Sequence, residues 1–308
     1  MLKSIISGSM RRAVPAIFSL AMLTACGNLP TAGAPGATND NAQAETPQTG
    51  VLQPPAKGKL SVYFLDIGQG DSTYIKTAAG DDILIDGGKN DAGARVVEYL
   101  KQLGVDDLEI VIATHPDSDH IGGLDTVIKS FNVKAVYAPK VSHTTDSFKD
   151  FLLAVKQAGR TIKEAKAGVQ LPLQGTEAVF VGPAKSYGDD LNDWSAVVHL
   201  SYGTTSFLFT GDAEKKSEKD MIETGAKLKA DVLKVGHHGS VSSTSEAFLQ
   251  AVAPTYAVIS VGRNSYGHPA ETVLNRLENQ GVSVFRTDTD GTVTIVSDGK
   301  KLQLRKVR

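Results

Sequence analysis

Ile110-Val111-Ile112-Ala113-Thr114-His115-Pro116-Asp117-Ser118-Asp119-His120-Ile121-Gly122-Gly123 is the stretch on which the reading of this chain turns. The apolar run from Glu109 to Ala113 predicts a buried strand, the polar cluster falls where that strand must end, and a helical pattern begins after the glycine pair at Leu124. His115, Asp117, Asp119 and His120 thus place four groups able to bind a cation within six residues of a strand-to-helix loop. A loop of this kind lets alternate side chains converge on one or two ions. Asp119 would also serve as a helix N-cap, but a cap needs neither histidine. The residue types point to a metal site.

Two further strand ends carry ligand types. Asp212 follows Phe207-Leu208-Phe209-Thr210-Gly211, and His237-His238 follow Leu233-Lys234-Val235-Gly236. Each alone reads as a turn or a helix start, but three strand ends delivering such groups imply one shared rim. His199 falls inside a strand, away from any rim, and reads as structural.

The remaining pattern supplies the frame. Leu60 to Asp66, Ser72 to Thr77 and Asp82 to Asp86 predict an opening meander, and Ala92 to Leu103 predicts a helix stopped by Gly104. Helices are expected at Leu124 to Ser130, from Thr145 or Asp146 to Ala158, Ala213 to Glu223, Thr244 to Val252 and Ala270 to Gln280. Strands are expected at Val133 to Ala138, Ser195 to Tyr202, Ser206 to Thr210, Asp231 to Val235, Tyr256 to Val261 and Val282 to Arg286. A less regular β region runs from Ile162 to Val181, and a hairpin through Asp298-Gly299 closes the chain. The expected class is α/β, an αββα sandwich of two sheets flanked by helices. The basic ending, Lys300 to Arg308, alternates with Leu302, Leu304 and Val307 and reads as an edge strand.

Before the domain, Lys3, Arg11 and Arg12 precede an apolar run, Ala13 to Ala25, too short to span a bilayer. Leu23-Thr24-Ala25-Cys26 resembles a bacterial lipobox. The expectation is a lipoprotein signal peptide over Met1 to Ala25 with lipidation at Cys26, and hence an exported protein lipid-anchored to the cell envelope. Cys26 is the only cysteine, so an internal disulfide is excluded. Cys26 to Gly58, poor in large apolar residues, reads as a disordered tether. Lys59 to Arg308, about 250 residues, suits one large domain. With 32 basic against 34 acidic residues and a net charge of −2, nothing global favours a polyanion, so any nucleic-acid contact must be local.

Taken together, Phe64-Leu65-Asp66-Ile67-Gly68-Gln69-Gly70-Asp71-Ser72, Asp86-Gly87-Gly88, the His115 to His120 loop, Thr210-Gly211-Asp212, His237-His238-Gly239-Ser240 and Tyr266-Gly267-His268-Pro269 resemble the metallo-β-lactamase superfamily. More narrowly they resemble the hydrolase domain of the ComEC-type competence proteins. The resemblance implies one metal position bound by His115 and Asp117 and a second by Asp119, His120 and one of His237 or His238, with Asp212 bridging. Asp117 stands where the superfamily motif has its second histidine, and Asn192-Asp193-Trp194-Ser195 where it has a middle one. These departures enrich the first position in oxygen and favour harder ions, so Mn²⁺ or weak occupancy stands beside Zn²⁺ as the expectation there.

One or two such cations imply hydrolysis by metal-activated water. Asp119 is expected to ligate and to orient the nucleophile, and His268, Asn264 and Tyr266, past another strand end, to stabilise the developing charge or the leaving group. The substrate expected from the resemblance is a phosphodiester, DNA first. Alternatives are a cell-wall phosphocholine ester or a non-catalytic surface binding lipoprotein. The expected partners are that substrate and, through the anchor, a membrane, and no protein partner is predictable.

Overall fold

The computed structural model describes Leu52–Arg308; the expected signal peptide, Cys26 and most of the tether lie outside the described residues. Fourteen strands form two sheets in this region. β1 (Leu60–Phe64), β2 (Thr73–Lys76), β3 (Asp82–Ile85), β4 (Asp107–Ile112), β5 (Asn132–Ala138) and β6 (Ile162–Glu164) belong to the first. The second is built from β7 (Glu177–Gly182), β8 (Val197–Tyr202), β9 (Thr205–Phe209), β10 (Val232–Lys234), β11 (Tyr256–Ile259) and β12 (Ser283–Arg286). The closing hairpin, β13 (Val293–Ser297) and β14 (Leu302–Lys306), returns to the first sheet, whose order is β14-β13-β1-β2-β3-β4-β5-β6. The second sheet runs β12-β11-β10-β9-β8-β7.

Alternation along the strands builds three apolar layers. In β1, Leu60, Val62 and Phe64 face the space between the sheets, while Tyr63 faces the helices. Phe207 and Phe209 of β9 enter the same central layer, and Leu208 faces outward. Helices α1 (Gly93–Gln102), α2 (Ser118–Ile121), α3 (Leu124–Ser130) and α4 (Asp146–Gln157) include residues of the outer layer of the first sheet, among them Val96, Ile121, Val127 and Phe151. α5 (Lys215–Glu223), α6 (Glu246–Val252) and α7 (Glu271–Asn279) supply Met221, Phe248 and Val273 to that of the second. The result is the expected helix-sheet-sheet-helix sandwich. A short α8 (Thr287–Asp290), which carries no apolar stripe, was not expected.

Leu52 to Gly58, the end of the span read as tether, lies against the domain instead. Leu52 packs on the helix-side cluster, and Tyr63 Oη donates to the Gln53 carbonyl at 2.9 Å. Among the described residues no helix is long and apolar enough to cross a membrane.

What positions the site is the direction of the strands. β3, β4 and β5 are parallel to one another, as are β9, β10, β11 and β12. Their C-terminal ends therefore open onto loops, where parallel sheets carry their ligand-binding groups.

Candidate metal centre

The His115–His120 loop is pinned by backbone contacts that require glycine. Gly87 N–H donates to the His120 carbonyl at 2.7 Å and Gly123 N–H to the Gly88 carbonyl at 2.9 Å. A Cβ on Gly123 would collide with the Gly87 carbonyl and approach Gly93 Cα to 2.8 Å, so only a glycine lets the two loops touch. His120 is carried in α2, whose N-cap is Asp117, not Asp119; the Asp117 side chain makes no capping bond and is free for another role.

Asp119, His120, Asp212 and His238 converge. His120 Nε2 lies 3.2 Å and His238 Nε2 3.5 Å from Asp212 Oδ2, and His238 Nε2 lies 3.3 Å from Asp119 Oδ2. Two ligands on one tetrahedral cation at about 2.1 Å lie about 3.4 Å apart, so these spacings are those of a coordination shell. Among the described residues, buried Nε2 of His115, His120 and His238 and Oδ1 of Asp212 have no hydrogen-bond partner. Buried polar atoms are rarely left so. The donor set of imidazole nitrogens and carboxylate oxygens fits one or two divalent cations of the zinc or manganese class.

The far edges of the rings are held by residues that the sequence reading did not select. Asp86, fully buried at φ 59°, meets His120 Nδ1 at 2.9 Å and accepts from Thr114 N–H at 2.8 Å and Thr114 Oγ1 at 2.7 Å. His238 Nδ1 lies 2.8 Å from the Ser260 carbonyl and 3.3 Å from Asp71 Oδ1. Such partners fix a ring and turn its other nitrogen to a metal. Asp71 in turn contacts the Lys234 ammonium.

His237 and His238 are consecutive residues in left-handed backbone, φ 46° and 52°, an uncommon arrangement concentrated at functional sites. His238 is buried among the converging groups. His237 is about a quarter exposed, with Nε2 3.7 Å from Asp212 Oδ2 and Nδ1 2.8 Å from Glu214 Oε1. Asn192 Nδ2 donates to that same Glu214 oxygen at 3.1 Å, and Asp193 Oδ1 accepts from Glu214 N–H and Ser217 N–H, both at 3.1 Å. The segment from Asn192 to Ser195 thus braces the start of α5. His115 and Asp117 approach through Nε2 and Oδ2 at 3.6 Å, and His115, His120 and Asp212 offer ligand atoms within 4.8 Å of one another.

Past β11, the Gly262 to Pro269 loop brings His268 beside the cluster, its ring 5.3 Å from that of His237. Asn264 is not available to a substrate as expected. Its amide donates to the Gly262 and His268 carbonyls at 2.9 and 2.8 Å, and its oxygen accepts from Tyr266 N–H and His268 N–H, each at 3.1 Å. With both donors committed to backbone, Asn264 shapes the loop that presents His268. Tyr266 is 70% exposed at the rim, its ring 5.7 Å from His268. His199 lies in β8 with Nε2 2.9 Å from the Lys229 carbonyl, outside the cluster.

The charges reinforce one another. Burial opposes ionisation of Asp212, yet His120, His238 and Lys234 hold it well below the usual carboxylate range. Burial likewise disfavours charge on His238, but Asp212, Asp119 and Asp71 raise it to about 9, and His120 is raised well above its ordinary value by Asp212, Asp71 and Asp86 against the same burial. These shifts favour the charged form of both rings in the metal-free chain, and a cation binding there would compete with protons. His268 is lowered by burial and by the neighbouring His237 and His238.

Residues 65–263 match the metallo-beta-lactamase superfamily. The chain is 33% identical over 260 residues to ComE operon protein 3 of Bacillus subtilis (strain 168), covering 79% of this chain and 34% of that protein. It is 33% identical over 259 residues to Recombination protein 2 of Haemophilus influenzae, covering 82% and 31%, and 32% identical over 239 residues to competence protein ComA of Neisseria gonorrhoeae, covering 77% and 32%. The chain thus spans about a third of the length of these curated relatives. Among solved structures, the metallo-beta-lactamase fold protein YhfI from Bacillus subtilis superposes with a TM-score of 0.53 at 10% identity, over 77% of this chain and 100% of that one, a likeness of fold. With the domain matched across both halves of the sandwich and the competence proteins among its relatives, the chain belongs to the metallo-β-lactamase superfamily.

Proposed function

We propose that this protein is an exported, metal-dependent phosphodiesterase with nucleic acid, DNA first, as its substrate. The observation that carries the reading is the convergence of Asp119, His120, Asp212 and His238 with unpartnered buried ligand atoms aimed at one another. In this reading His115 and Asp117 would hold one Zn²⁺ or Mn²⁺ position and Asp119, His120 and His238 the second, with Asp212 contributing to both. A cation bound there supplies a Lewis acid and lowers the pKa of bound water from that of bulk toward about 7.

The protein's own groups do the rest. Asp119 is about a quarter exposed while His120 and His238 are buried, so its carboxylate reaches solvent and is placed to orient a water for attack. His268, kept neutral near pH 7, is placed to hydrogen-bond the leaving oxygen, and Tyr266 marks the open side where a chain of nucleotides would lie. The competence relatives support the choice of substrate. Lipidation at Cys26 would tether the enzyme to the envelope membrane.

Metal analysis of the purified chain, combined with a panel of single-stranded DNA, RNA, bis-aryl phosphodiester, phosphocholine ester and β-lactam, tests the proposal. Metal-stimulated cleavage of DNA is expected. Turnover of the phosphocholine ester alone selects the cell-wall substrate, and Asp119→Ala indistinguishable from the parent overturns the enzymatic reading. Radioactive palmitate incorporation abolished by Cys26→Ser tests the anchor.

A further inference from the structure

Among the described residues, Lys234 is the only lysine or arginine that is buried. Strand alternation explains its direction: Val232 enters the layer between the sheets, Leu233 faces the helices, and Lys234 shares the face of Val232. The chain has therefore turned an ammonium into the sandwich interior at the last residue of β10. An unpaired charge there would be strongly disfavoured. The partners are specific: the Asp71 carboxylate in contact, the Gly211 carbonyl at 2.9 Å, and Asp212 Oδ1 at 3.8 Å.

Each of those partners leads to the centre. Asp71 Oδ1 lies 3.3 Å from His238 Nδ1, and Asp71 Oδ2 lies 3.8 Å from His120 Nδ1. Asp212, with Oδ1 turned to Lys234, presents Oδ2 to both Nε2 atoms. Asp71 comes from the β1–β2 loop of the first sheet and Lys234 and Asp212 from the second. A lysine placed only to neutralise one buried carboxylate would not need to sit between two.

We infer that Lys234 is a positioning residue of this centre, an internal basic group that holds Asp71 against the Nδ1 edges of His120 and His238 and lies beside Asp212. One consequence is that His120 and His238 keep Nε2, and Asp212 keeps Oδ2, aimed at a common point. This role rests on the reading of the centre as a metal site.

Cobalt(II), titrated into the metal-free full chain and followed by its d–d absorption, tests it in Lys234→Met, which keeps length and removes charge, and in Asp71→Asn. The ring ¹⁵N shifts of His120 and His238 are recorded in the same metal-free proteins. Either variant is expected to bind cobalt about 10–100-fold more weakly, with an altered absorption band and displaced ring shifts. Parent-like affinity, band shape and ring shifts in a folded variant overturn the inference. If Lys234→Met does not fold, Asp71→Asn is judged alone by the same measures. A parent chain that binds no cobalt removes the metal reading, and the ring shifts then decide the role of Lys234 by themselves.

Discussion

Asp86 Oδ2 stands 2.9 Å from Nδ1 of His120, on the side of the ring opposite Asp212. The carboxylate is held in turn by two bonds from Thr114, so its orientation is set before any ligand arrives. Asp86→Asn preserves shape, and asparagine tolerates the left-handed backbone found there. The expected outcome is a folded protein whose divalent-metal affinity falls by roughly 10–100-fold, read by competitive chelator titration. Affinity equal to the parent's would show that the contact does not orient the ring.

In the proposed mechanism Asp119 is both a ligand and the group that orients water, and Asp119→Ala removes it. Metal-stimulated hydrolysis of a bis-aryl phosphodiester is expected to fall by at least about 100-fold, with circular dichroism unchanged. A loss of less than tenfold would shift the nucleophile-orienting role to another residue.

The metal-free protein should show a pH optimum of stability on the acid side of neutrality. His120 and His238 are raised in the folded state, so their contribution is fully present below the unfolded histidine value, about 6.5, and is lost as pH rises, through about 9 for His238. Asp71, Asp119 and Asp212 are lowered, so theirs is present above the ordinary carboxylate value and lost as pH falls through their own. In chelator-treated protein the Tm is expected to drop between pH 6.5 and 9, by roughly 2–4 °C per kcal/mol. Zinc affinity should rise over the same interval as protons are displaced. A Tm flat over that range would contradict the assigned protonation.

Gly123→Ala forces a Cβ against the Gly87 backbone, where no flexible side chain exists to yield. A destabilisation of about 1–3 kcal/mol is expected, seen as a lower midpoint in urea with an unchanged slope. The exposed Tyr266 gives the opposite pattern. Tyr266→Ala should change stability by less than about 0.5 kcal/mol, raise KM for single-stranded DNA several-fold and leave the bis-aryl diester unaffected. Equal effects on both substrates would place Tyr266 at the reacting centre instead.

The strands and helices were legible because alternation and helical spacing survive in most of them; α3 begins and ends where the pattern predicts. The stretch from Ile162 to Val181 was not, since β6 is exposed throughout and carries no apolar face. The ligand-bearing loops announced themselves by clustering at strand ends. Asp71, after the Gly68-Gln69-Gly70 break, read as a turn residue and Asp86 as the end of a strand, because what brings them to the centre is the approach of loops distant in sequence. Lys234 did leave a signal, a cation within Val232-Leu233-Lys234-Val235, where an apolar residue belongs. Asn264 shows the reverse: a polar residue in a promising motif whose capacity is spent on its own loop.

The centre draws Asp71, Asp86 and the His115–His120 loop from one sheet and Asp212, Lys234 and His238 from the other. A ligand gripping both groups acts as a rivet through the sandwich. Neither half can shear past the other without tearing that grip, so melting of the two sheets is coupled at this rim. Amide hydrogens at the ends of β3, β4, β9 and β10 should accordingly slow their exchange together when zinc binds, reporting a single mechanical unit.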